Sequence, residues 1–227
     1  MNSDIAKDVQ RSFERQIGDP SFPCAGAKSA LGQGKLHFLF AADLRLADHD
    51  VAIAANLQSF AAGSAGDAVF LSQVVLFPDT PALDELQFEQ ALWLRLQSLH
   101  EVDAARYGWD ASVSDDPDSA QFSLSIGGRG FYVVGVHPGA SRAARRFQCA
   151  ALVFNLHSQF ETLRTDGRYD KLRSVIIERD IAYSGSRNPM LAVHGASSEA
   201  RQYSGRTVAA GWQCPFCAQP ARRSNAP

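Results

Sequence analysis

The chain has 227 residues, enough for one substantial core or two small domains, and one domain is the expectation. Its 22 basic and 24 acidic side chains leave a formal net charge of −2, which excludes a chain that binds nucleic acid through overall positive charge. The opening segment MNSDIAKDVQRSFERQIGDP mixes charges without an apolar stretch, and runs such as Val74 to Phe77 fall far short of the roughly 18 residues of a spanning helix. The expectation is a soluble cytoplasmic protein without membrane attachment, in which Cys24, Cys149, Cys214 and Cys217 are thiols or ligands rather than disulfides.

In chain order, Leu36 to Phe40 reads as a short strand, and DHDVAIAANLQSFAA as a helix opening near Asp48. A second strand runs from Val69 to Phe77 and stops at Pro78. Thr80 is then placed to cap a helix with Pro81 at its first position and Asp84 and Glu85 in its first turn. Phe88, Leu92, Leu96 and Leu99 line one face of that helix to about Tyr107. After the polar loop SVSDDPDSA, the alternation of Phe122, Leu124 and Ile126, the turn GGRG and the run Phe131 to Val136 describe a β-hairpin. Leu152 to Asn155 reads as a further strand. Ser158 and Glu161 have capping-box spacing, so His157 falls just outside a helix that ends at Asp166-Gly167. Another helix runs from about Tyr169 to Asp180, and residues 185–227 form a Gly-, Ser- and Pro-rich segment packed on the domain or trailing from it. The order β-α-β-α-β-β-β-α predicts an α+β fold, a single domain with a mostly antiparallel sheet flanked by helices.

One local feature departs from the even charge. Arg142, Arg145 and Arg146 crowd into the loop between His137 and His157, the two histidines that sit where strands end. Imidazole together with several guanidinium forks suits an anionic ligand that carries a metal. The plainer alternative is a solvated basic loop with core or cap histidines.

Six segments extend the pattern: FPC at 22–24, HPGASRAARRF at 137–147, LVFNLHSQFETLR at 152–164, RDIAYSGSRNPML at 179–191, SEARQYSGR at 198–206 and WQCPF at 212–216. In this order they resemble the successive blocks of the YqcI/YcgG family, over most of the chain. The family includes heme-dependent N-hydroxylases that oxidise the guanidine of arginine or arginine-derived amino acids in natural-product biosynthesis. The resemblance implies heme b, dioxygen as co-substrate and a small guanidino amino acid as substrate.

On that implication, Arg142, Arg145 and Arg146 pair with the heme propionates, and His137 is the preferred iron ligand, with His157 and then Cys24 as alternatives. A protonated guanidinium needs a carboxylate beside it. Glu161 and Glu199 are the catalytic candidates, with Asp180 behind them, while Arg201, Tyr203 and Arg206 are candidates for holding the substrate. GAKSALGQGK lacks the Ser or Thr of a P-loop and precedes a strand, and no dinucleotide fingerprint follows a strand. Electrons must therefore come from a separate reductase or reductant, and a homodimer is left open. Two rival readings remain: a heme-binding sensor or carrier without turnover, and a zinc or redox module built on the CxxC of Cys214 and Cys217.

Overall fold

The computed structural model describes residues 3–64, 69–191, 195 and 197–219. Its apolar runs form five strands, β1 (Leu36–Phe40), β2 (Ser72–Phe77), β3 (Leu124–Ile126), β4 (Arg129–Val136) and β5 (Ala150–Leu156). They join in one sheet of order β1-β2-β5-β4-β3. Only the β1–β2 pair is parallel. A parallel pair requires a crossover, which helix α3 (Asp50–Gly63) provides. The tight return between β3 and β4 uses Gly127 and Gly128, both at positive φ. The other helices of the described residues are α1 (Ser3–Gly18), α2 (Ala25–Gly32), α4 (Glu85–Asp103), α5 (His157–Thr165) and α6 (Tyr169–Ser184). The result is the expected single-domain α+β fold, with a mixed, mostly antiparallel sheet flanked by helices.

The period of two along each strand divides the core. Val75, Phe77, Phe131, Val133, Leu152 and Phe154 join α3 and α4 in one fully buried cluster. Phe88 and Leu92 of α4 press so closely on β4 that a Cβ at Gly135 would lie 2.7 Å from Phe88 Cε1, so only glycine fits there. The chain from Ser198 onward completes this side. Tyr203 stacks on Trp93 with ring centroids 5.5 Å apart and donates its hydroxyl to the Phe131 carbonyl at 3.0 Å. Buried Glu89 ties the segment to α4 by accepting from Ser204 Oγ, Arg206 Nη2 and Trp212 Nε1 at 3.0, 2.6 and 3.2 Å. Residues 220–227 of the expected C-terminal segment lie outside the described residues. On the opposite side, Val74, Leu76, Val136 and Ala151 meet Val9, Phe13 and Ile17, which recur one turn apart along α1.

Several boundaries differ from the sequence expectation for local reasons. Thr80 does not cap α4; its hydroxyl accepts from the Leu44 amide at 2.9 Å. Asp84 caps instead, in a reciprocal box with Gln87, and the helix ends at Asp103 rather than Tyr107. The Ser158–Glu161 box does not form, because α5 already begins at His157 with Leu156 as its N-cap. Helix α6 continues to Ser184, where Gly185 takes the left-handed conformation that ends it. No helix of the described residues is long and apolar enough to cross a membrane.

Candidate functional site

The sheet face toward α1 and α2 is not closed by side chains. A cavity of about 330 Å³ lies between it and the helices α1, α2, α5 and α6, a size suited to a small molecule or cofactor. Its walls are largely apolar, from residues such as Phe13, Ile17, Phe22, Val134, Phe147 and Ile176. The period of two that buries Val134 and Val136 toward this side also brings Tyr132, and the register pairs Tyr132 with Asn155 and Asn155 with Ser72. These three polar residues cross the floor as one row, with Ser72 Oγ donating to Asn155 Oδ1 at 2.7 Å. Burial pushes the Tyr132 hydroxyl up to about 12, against the opposing pull of the Arg145 guanidinium beside it.

Cys24 stands at one wall as the N-cap of α2, its sulfur accepting from the Ala27 amide at 3.4 Å. Burial raises its thiol pKa, while the Ala27 and Gly26 amides and the charge of Arg145 pull it down. The sulfur thus meets the partial positive end of a helix and a guanidinium, the surroundings that stabilise a thiolate once a cation displaces its proton.

The three arginines of the 137–147 loop separate by what they hold. Arg145 lines the cavity, but its Nη1 donates to the Gly135 and Tyr203 carbonyls at 2.9 and 3.2 Å and its Nη2 to Gln202 at 3.0 Å. It rivets the end of β4 to the C-terminal segment. Arg146 donates to Ala140 and Ser141 of its own loop, at 2.7 and 2.8 Å, and does not line the cavity. Arg142 also lines the cavity, and its main partner is a side chain: Nη2 pairs with Asp180 Oδ2 of α6 at 2.5 Å and donates to the Ser186 carbonyl at 2.9 Å.

Neither histidine reaches this cavity. His137 is buried on the other side of β4, stacked on Phe88 with centroids 4.1 Å apart. Burial lowers its pKa, with Glu85 and the Leu83 carbonyl opposing. The His157 ring lies between Ser123 Oγ at 3.0 Å and Glu161 Oε1 at 3.1 Å. Glu161 is half exposed, pairs with Arg164 as well, and lines neither this cavity nor the second one beside it. Arg201 is held by the Ala209 and Trp212 carbonyls, Tyr203 by Phe131, and Arg206 by Glu89. These three candidates for substrate contact fasten the C-terminal segment instead.

Glu199 lines a second cavity of about 200 Å³ that shares Tyr132, Phe160, Leu172, Ile176, Ile177 and Leu191 with the first. Among the sequence candidates, then, the fold gathers Cys24, Arg142, Arg145 and Asp180 around one cavity and Glu199 around its neighbour. Tyr132, Asn155 and Ser72 are additions, and their signal was a polar residue interrupting each apolar strand. The CxxC pair lies apart, with Cys217 exposed and burial pushing the Cys214 thiol up to about 12.

The sequence model of the YqcI/YcgG family matches residues 13–217. No curated protein and no solved structure matches the chain.

Proposed function

This chain belongs to the YqcI/YcgG family, and we propose that it is a heme-dependent N-hydroxylase acting on the guanidino group of arginine or an arginine-derived amino acid. The observation that supports this most is the placement of Cys24, a helix-capping thiol opening into a large apolar cavity whose wall also carries Arg142 and Arg145. The donor set fits a heme held through a thiolate: one soft sulfur, apolar walls for the macrocycle and the Arg142 guanidinium for a carboxylate. Imidazole ligation has no support from the geometry, since His137 and His157 both lie outside the cavity. Cys24, the third choice from sequence, therefore becomes the first.

Bound there, a heme supplies the activation of dioxygen, with electrons from a separate donor. The chain's own contribution is binding, orientation and exclusion of water. The Ala27 amide donates to the Cys24 sulfur, which burial otherwise keeps protonated, and a bound iron would take the place of that proton. Because the donors of Arg145 hold main-chain carbonyls, Arg142 is the wall guanidinium able to exchange its side-chain partner for a carboxylate of the cofactor or substrate. The apolar surfaces of α1, β4 and α6 keep water from the reacting nitrogen. A guanidinium stays protonated at neutral pH, so it enters such a site only against an anion.

The test is turnover. Heme-reconstituted protein supplied with L-arginine, a reductant and isotopically labelled dioxygen is expected to yield N-hydroxyarginine carrying one labelled oxygen atom. Stoichiometric heme binding without labelled product, across a panel of guanidino amino acids, would support the sensor or carrier reading instead.

A further inference from the structure

We infer that Asp180 reads the guanidinium of the ligand, and that Arg142 occupies that position in the structure as an internal stand-in for it. The identity of the cation rests on the guanidino-oxygenase reading above; the exchange itself rests on the geometry of α6 and its loop. Along α6, Leu172, Ile176 and Asp180 recur every four residues, so one helical stripe faces the cavity and ends in a carboxylate. Among the described residues, Asp180 is the one carboxylate in the wall of the main cavity.

Its surroundings specify what can bind. The Asp180 side chain is 15% exposed and that of Arg142 10%, so neither charge is balanced by bulk water. Removing one member of such a pair leaves a buried, uncompensated charge, which is strongly unfavourable. A ligand can displace Arg142 only by bringing an equivalent cation. Oδ2 accepts from Nη2 of Arg142 while Oδ1 accepts from Ser184 Oγ at 3.0 Å, so the hydroxyl fixes the carboxylate and leaves Oδ2 for a cationic donor. A second guanidinium supplies the same charged N–H donor to Oδ2, whereas a neutral urea cannot balance the carboxylate. The exchange conserves charge if the arriving molecule also carries a carboxylate for the released Arg142, as an amino acid does. Arg142 keeps a second acceptor at Ser186 on the same side, so the side chain needs only a local swing.

Two carboxylates compete for this role. Glu199 faces the adjoining cavity, and Glu161 lies outside both. Asp180 alone combines a place in the main cavity with a guanidinium already bound to it.

The experiment compares the affinities of L-arginine and L-citrulline for the heme-loaded protein by calorimetric titration. The two differ in the guanidinium and the isosteric urea but share their amino-acid end, so their affinity ratio isolates recognition of the cation. The wild-type chain is expected to prefer arginine by roughly 10- to 100-fold, the worth of one charged hydrogen-bonded pair. In Asp180→Asn that preference collapses toward unity, with citrulline affinity unchanged, and Asp180→Glu restores part of it. In Arg142→Met, which removes the competitor while keeping the apolar stem, the preference rises above wild type. An ion pair that serves only the fold would instead move both variants in the same direction or move neither, and that result overturns the inference. Loss of the preference in Glu199→Gln with Asp180→Asn unaffected also overturns it, by moving the guanidinium to the second cavity. If the protein takes up no heme, the heme reading fails, while the same titration on the purified chain still judges Asp180. Thermal melts of each variant separate misfolding from loss of recognition.

Discussion

The two faces of one sheet carry opposite solutions. Toward α3 and α4, side chains from β2, β4 and β5 interlock with Phe88, Leu92 and Leu96, and the C-terminal segment lays Tyr203, Trp212 and Phe216 over what remains. Toward α1, α2, α5 and α6, the same strands leave about 330 Å³ that the protein does not fill. Protein interiors normally pack to the density of organic crystals, so a chain that does so on one face and not on the other marks the second as the place for something else. The polar residues divide accordingly. On the packed side Glu89, Arg206 and Tyr203 hold chain to chain, whereas on the open side Cys24, Arg142 and Asp180 face a space.

The largest expected effect tests that contrast directly. Phe88 is fully buried against Gly135 and His137, so Phe88→Ala should cost about 3–5 kcal/mol of unfolding free energy. Ile176, which faces the cavity from α6, should cost less than about 1.5 kcal/mol when replaced by Ala, because it is only partly buried in the protein. Denaturant melts of the two variants give the comparison, and equal losses would break it.

A smaller effect concerns pH. Burial holds the imidazoles of His137 and His100, both on the packed side, below their usual value of 6.5. Below about pH 6.5 the unfolded chain therefore binds protons that the folded chain rejects, so stability should fall as pH drops from there toward the lowered folded values. His137→Gln should flatten that slope in melts taken between pH 7 and 5, and an unchanged slope would remove His137 from the account. No histidine of the described residues lines the main cavity, so heme retention there should not share this particular titration.

How much of this was legible follows from the same geometry. Strands β1, β2, β4 and β5 and helix α4 announce themselves through apolar period, and their observed limits differ from expectation by a few residues, where a cap such as Asp84 competes with Thr80. Helix α1 leaves an equally clear mark in the spacing of Val9, Phe13 and Ile17, which reading that segment for charge does not reveal. The site was half legible. The segments that carry Cys24, Arg142 and Asp180 stand out in the sequence, but closeness along the chain favoured His137, next to the arginines. The strand period argues otherwise: Tyr132, Val134 and Val136 face the cavity, so the next residue, His137, turns to the opposite face and meets Phe88. His157 would have continued the cavity side of β5 after Val153 and Asn155, but α5 begins at that residue and turns its ring toward Ser123. The roles of Arg145, Tyr203 and Arg206 as fasteners depend on contacts across as many as 117 residues of sequence, which no local pattern encodes.

The most direct test of the open face as a heme-thiolate site is the absorption spectrum of the heme-loaded protein after reduction and addition of carbon monoxide. Thiolate ligation shifts the Soret band of that complex far to the red of its imidazole counterpart. The wild-type, His137→Ala and His157→Ala proteins are all expected to show the red-shifted band, and Cys24→Ala is expected to lose it while its melting temperature changes little. A band at the imidazole position that survives in Cys24→Ala and disappears in either histidine variant would contradict the account.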